Sequence, residues 1–208
     1  MPSTFFLLRT RSAQLSPLHL DGEGRAPAVW ARPTARGPRN DPFPFEGIVR
    51  LPSAPRPGFA SLGTALCASI EPSASLRMDT DEHVIVPGTG AVKLLIFSRK
   101  AAHLTTAAYL AHWGGQHKDV VIAQSDFMAF VRGYRQHHVI PDSVCNGVDE
   151  TIAPSSRFDG VIEQWFDTVE DAVRAYQSPG YQIRVRQDEP NFLSVGASIA
   201  TFVDERPL

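Results

Sequence analysis

Residues 94–105, LLIFSRKAAHLT, are echoed 89 residues earlier by residues 5–16, FFLLRTRSAQLS: four apolar residues, a basic stretch, then leucine and a hydroxyl residue. Two further blocks recur in the same order. Residues 158–162, FDGVI, answer residues 45–49, FEGIV. Residues 198–205, SIATFVDE, answer residues 75–82, SLRMDTDE. One such match is chance; three in order argue for internal duplication. The expected division is a degenerate repeat over residues 1–86 and an intact one over residues 92–208. Pro87-Gly88-Thr89-Gly90 punctuates the link between them.

Bulk properties narrow the function. At 208 residues the chain holds one large domain or two small ones. A net charge of -2 gives no long-range attraction for nucleic acid or an anionic membrane, so neither partner is expected. No run of apolar residues is long enough to span a bilayer, and residues 5–8 read as a strand rather than a signal-peptide core. Two cysteines, Cys67 and Cys145, make no disulfide framework, and a cytoplasmic location is the expectation. No phosphate loop, dinucleotide fingerprint or Cys-x-x-Cys is present.

The second half reads as strand, helix, strand, strand, helix, strand. Residues 92–97 are apolar throughout, as in a strand buried on both faces. Thr105 or Thr106 caps a helix running to about Ala123. Residues 127–139 and 160–166 are strands. Thr168 caps a helix through Tyr176, with Asp171 at the capping-box position, and Pro179-Gly180 follow its end. Residues 197–203 are the last strand. This is the split pattern of a ferredoxin-like unit. Residues 21–58 mix glycine, proline and arginine and discourage regular structure. The fold class expected is α+β: two ferredoxin-like β-α-β-β-α-β repeats, packed sheet to sheet within one chain.

The combination Tyr109-x-x-His112-Trp113-x-x-x-His117, Tyr134-x-Gln136-x-His138 and Asp159-Gly160-x-x-Glu163-x-Trp165-Phe166 resembles the EthD family of the dimeric α/β-barrel superfamily. The likeness covers residues 92–205 well and residues 4–86 only through the repeat blocks. It implies a ferredoxin-like fold paired into a barrel, as an intrachain pseudo-dimer or a homodimer. Family members include accessory proteins of ether degradation and relatives of dehydratases acting on aromatic polyketides.

Candidate chemistry starts at His117. Leu110, Trp113, His117 and Val121 recur at helical spacing, which sets His117 on an apolar stripe beside an indole. Burial there keeps a neutral imidazole available as a general base. His112, on another face by the same spacing, reads as exposed. Tyr134, Gln136 and His138 share a strand face with Phe130, and Tyr134 and His138 match the family motif. Glu163, between Val161 and Trp165, is placed to orient His117 or His138. Aligning Trp30 with Trp113 sets Thr34 at the place of His117, so one working pocket is expected, in the second half. Trp113, Phe130, Trp165 and Phe166 would line it, with Gln136 and Glu163 as its polar contacts. No metal is expected: His137 and His138 point apart on a strand, and His112 and His117, five apart, miss the helical i, i+4 spacing.

These residues suggest a cofactor-free lyase, isomerase or cyclase acting on a small apolar, aromatic or polyketide-like molecule. His117 would be the base, and Tyr134 and His138 would stabilise an oxyanion. The alternatives are a non-catalytic small-molecule binding protein and, on analogy with the wider superfamily, a haem protein.

Overall fold

The computed structural model describes residues 2–9, 11, 29–37, 43–52, 59–62, 64–148 and 157–207. Strand β5, Val92–Ser98, is apolar on both sides because both are covered: Leu95 and Phe97 enter one core, Leu94 another. Such a strand belongs in the middle of a sheet, between β8 (Gly160–Phe166) and β9 (Ile199–Pro207). The remaining strands are β1 (Pro2–Leu8), β2 (Val29–Arg36), β3 (Gly47–Pro52), β4 (Leu76–Val86), β6 (Gly133–Val139) and the short β7 (Cys145–Asn146).

Following the hydrogen-bonded neighbours gives β1-β3-β2-β9-β5-β8-β6-β4, and β4 pairs back onto β1. Every pairing is antiparallel. Eight strands therefore close an antiparallel barrel, with β7 added beside β4. Closure removes the exposed edges that an open sheet would carry. In each half the order is fourth strand, first, third, second: β4-β1-β3-β2 and β9-β5-β8-β6. The seams join the second strand of each half to the last strand of the other, β2 to β9 and β4 to β6. The echoed blocks fall on β1 and β5, β3 and β8, and β4 and β9.

The barrel interior is packed by Phe5, Leu7, Ile48, Met78, Leu95, Phe97 and Val161, among others. Outside the second half lie α2 (Thr106–His112), α3 (Lys118–Ile122), α4 (Ser125–Met128), α5 (Val169–Gln177) and α6 (Arg186–Phe192). They cover Leu94, Tyr134, Phe166 and Phe202 on the outer face of the sheet. Outside the first half, α1 (Thr64–Ser69) and its neighbours cover a smaller cluster of Phe6, Leu8, Val49, Leu62 and Ile70. No helix among the described residues is long and apolar enough to cross a membrane.

Three expectations are corrected. The strand expected over residues 127–139 begins only at Gly133. Asp126 accepts from the Phe127 and Gly180 backbone amides and holds residues 125–128 in a helical turn, and Phe130 follows in the turn that ends it. The irregular stretch at residues 21–58 contains β2 and β3; Pro33 is tolerated at a register shift against β9, where its missing N–H is not needed. Trp30 therefore sits on a strand and Trp113 on a helix, so the pairing of Thr34 with His117 fails. Any first-half counterpart of α2 would fall between β1 and β2, where residues 10 and 12–28 lie outside the described ones.

Candidate functional site

Helix α2 starts as its sequence directs, with the Thr105 side chain accepting from the Ala108 amide. It then widens. Trp113–His117 form a π-helical turn in which the Lys118 amide bonds the Trp113 carbonyl, five residues back. A 3.6-residue period sends His112 and His117 to different faces; a five-residue loop brings them into line. Both rings meet one carboxylate. His112 Nε2 lies 3.1 and 3.0 Å from the two oxygens of Asp188. His117 Nδ1 lies 2.9 Å from Asp188 Oδ2. Asp188 is on α6, which follows a second π-helical turn, Tyr181–Val185. The Asn191 amide donates to Asp188 Oδ1 at 3.1 Å, and the Phe192 ring lies against both histidines, 4.9 Å from His112 and 4.5 Å from His117.

A carboxylate only accepts, so the His117 hydrogen sits on Nδ1 and the Nε2 lone pair is left free. Burial pushes the His117 pKa below its ordinary value, and the Asp188 bond and charge oppose that without reversing it. The ring is therefore a neutral base at pH 7. Burial alone would raise the Asp188 carboxyl; hydrogen bonds from His112, Asn191 and His117 hold it below the usual carboxylate range.

His117 lines a cavity of about 40 Å³ between the helices and the sheet. Its apolar wall includes Ile96, Trp113, Phe127, Ile162 and Phe192, and its polar groups are Tyr134, Gln164, Glu189 and Ser198. The Gln136 amide donates to the Tyr134 hydroxyl oxygen at 2.7 Å and to the Trp113 carbonyl at 3.3 Å. That leaves the Tyr134 proton free to be donated. Burial pushes the phenol up to about 12, so it stays protonated. Tyr176 donates to Gln164 and Tyr181 to Glu189, each at 2.7 Å. The volume holds about three or four waters, since each needs roughly 10–15 Å³. A larger ligand requires the helices to move off the sheet.

The candidate residues separate into two places. His117, Trp113 and Tyr134 line the cavity, and Gln136 stands behind Tyr134. Phe166 is buried in the helix-side core and Phe130 packs at its margin, neither in the cavity lining. His138 lies over Trp113 at 4.8 Å and against His83 at 4.0 Å, outside the lining. Glu163 and Trp165 face the barrel interior. Glu163 does not orient His117 or His138: it lies 3.0 Å from His137, 2.5 Å from Lys93 and 3.1 Å from Arg50. Burial would raise its carboxyl, but Lys93, His137 and Arg50 outweigh burial and hold it far below the usual range. Lys93 and Arg135 flank the Trp165 ring at 4.6 and 4.9 Å. Ligand atoms of Glu82, His137 and Glu163 lie within 4.8 Å of one another, close enough to share a metal ion. Arg50 and Arg135 contact both carboxylates, at 3.1–3.9 Å, and with Lys93 they supply the neutralising charge instead.

Asp188, Glu189 and the role of His112 were missed from sequence. Residues 187–190, QDEP, carry no sign of a site in the sequence, and the two π-helical turns bring Asp188 to the histidines. The adjacent Gly114-Gly115 pair was the one available sign that the helix departs from regular spacing.

Fold and site together define an eight-stranded antiparallel α+β barrel similar to dimeric α/β-barrel proteins, with a small, largely apolar cavity under one helical layer. Residues 101–196 match the EthD domain family. Across solved structures the chain is similar to a monooxygenase candidate from Lactobacillus acidophilus NCFM, at 7% identity and a TM-score of 0.50, covering 98% of this chain and 93% of that one. It is also similar to a mutant chlorite dismutase from Candidatus Nitrospira defluvii, at 11% identity and a TM-score of 0.50, covering 98% and 91%. At such identities the likeness is one of fold. No curated protein matches the chain.

Proposed function

We propose that this protein is a small-molecule enzyme of the proton-transfer type, a lyase, isomerase or cyclase, with His117 as general base. The observation that carries the reading is the His117–Asp188 pair, 2.9 Å apart, with His117 on the wall of a small, largely apolar cavity. In this reading Nε2 takes a proton from a carbon beside a substrate carbonyl. Charge gathers on the carbonyl oxygen, where the Tyr134 hydroxyl donates, and Asp188 stabilises the imidazolium that forms. Returning the proton to a different carbon completes an isomerisation. His138, off the cavity lining, has no part in it. The aromatic lining suits an apolar or aromatic substrate.

The matching strand orders and echoed blocks support reading the chain as two ferredoxin-like repeats, residues 1–86 and 92–208, fused into a pseudo-dimer. The first then completes the barrel and the second carries the chemistry. That reading accounts for a barrel closed within one chain.

The test uses 2-tetralone, an aromatic ketone with exchangeable α-protons, in D₂O at neutral pH. The protein should accelerate deuterium incorporation, and His117→Ala should remove about 10²–10⁴-fold of that acceleration. Exchange no faster than in buffer, with ketone binding retained in both proteins, would replace the enzyme with a binding protein.

A further inference from the structure

A second, larger hollow lies at the end of the barrel where β5 and β6 finish and β8 and β9 begin. Its volume is about 520 Å³, within the roughly 300–1,000 Å³ range of small-molecule sites. Val139, Val144 and Phe158, all buried in the barrel core, form an apolar floor. Arg99, Lys100 and Arg157 stand around it.

The cations are unevenly matched. Arg157 lies 3.7 Å from the exposed Asp142 carboxylate. Arg99 has its guanidinium 5.3 Å from the centre of the Phe158 ring, and its buried Nε has no hydrogen-bond partner among the described residues. Lys100 donates its ammonium to the Leu104 carbonyl at 2.7 Å; the nearby Asp159 instead accepts the Lys100 backbone N–H at 2.9 Å. Among the described residues, neither Arg99 nor Lys100 forms an ion pair with a carboxylate. Two cations without a carboxylate partner, standing over an apolar floor in a cavity of this size, fit an occupant with one negative charge and an apolar body.

We infer that this basin binds an amphipathic organic anion, its carboxylate or sulfonate head on Arg99 and Lys100 and its apolar body over Phe158, Val139 and Val144. The basin is distinct from the His117 cavity yet adjoins it. Residues 193–198 form the shared wall, with Leu193 and Ser198 lining the cavity and Ser194 and Ala197 the basin. The inference does not depend on His117 being a base.

The experiment titrates the folded full-length protein with 1-anilinonaphthalene-8-sulfonate and reads its fluorescence. One saturable site is expected. Arg99→Met and, independently, Lys100→Met should each weaken binding about tenfold, the scale of one charge-assisted hydrogen bond. His117→Ala should leave the affinity unchanged, which separates this basin from the helix-side cavity. The uncharged N-phenyl-1-naphthylamine should bind with no dependence on Arg99 or Lys100. Wild-type affinity in both methionine variants, with their melting temperatures intact, overturns the inference. So does an absence of saturable binding to the folded wild type.

Discussion

The two halves of the barrel share a strand order and differ in what covers it. Over the second half, five helices and two π-helical turns enclose a cavity and two histidines joined by one carboxylate. Over the first half, the described cover is α1, six residues long, with short 3₁₀ turns and a five-residue buried cluster. The strands cannot diverge so freely, because closing the barrel needs all eight in register. The helical layer can, since on the proposed function only the second half holds chemistry. The interior ties the two halves together. Arg50 on β3 and Glu82 on β4 reach from the first half to Glu163 and Arg135 on the second.

Breaking that cross-barrel contact should give the largest effect. Glu163→Ala leaves Lys93, Arg50 and Arg135 facing one another without their common carboxylate. Removing one partner of a buried ion network costs about 3–5 kcal/mol, which urea unfolding would register as a lower midpoint. The pH dependence follows from sign. Glu163 is held below its ordinary value of 4.5, so the unfolded chain binds its proton first as pH falls. Its stabilisation is complete above about pH 4.5 and is lost below it. Glu163→Gln should lower stability at neutral pH and flatten this acid limb. A neutral-pH midpoint unchanged in both variants would show that the halves close without the network.

The second test sharpens the contrast at the helices. Asp188→Asn removes the acceptor that sets the His117 tautomer. The ketone exchange rate should fall on the order of a hundredfold, less than the 10⁴-fold that tautomer loss costs in a serine-protease triad. Deleting Gly115 should have the same consequence by another route: it returns the π-helical turn to α-helical phase and carries His117 about 100° around the helix from Asp188. Exchange rates unaffected by either change would detach the carboxylate from the chemistry.

What could be read in advance follows the same line. The echoed blocks lie on β1, β3 and β4 and on β5, β8 and β9, where alternating burial constrains nearly every residue, so the fold showed through them. The Thr105 and Thr168 caps were legible because a helix start needs a side-chain acceptor at a known offset. His117 stood out on its apolar stripe. Asp188 did not, because its approach depends on two helical turns whose period the pattern of apolar residues does not reveal. Glu163 was visible as odd but was given the wrong partner. His137 and His138 alternate on β6, and alternation alone does not say which of the two faces the barrel interior.

The smallest effect lies at the β4–β6 seam, where His83 from the first half meets His138 from the second with ring centres 4.0 Å apart. Burial, helped by the His83 and His137 charges, lowers His138 to about 4, against 6.5 for the free side chain. Between those values the unfolded chain binds the His138 proton and the folded chain does not. Stability therefore rises with pH across this window and falls as pH drops from about 6.5 to about 4. Solvent screening of a half-buried ring keeps the contribution to about 1 kcal/mol or less. His138→Gln removes the titrating ring and one of two imidazoles that acid would charge side by side. The variant should lose less stability than wild type between pH 7 and pH 4.5, followed by urea midpoint. Because the pair straddles the seam, a steeper loss in the variant would mean that the His138 ring, even when charged, holds the two halves together more than it drives them apart.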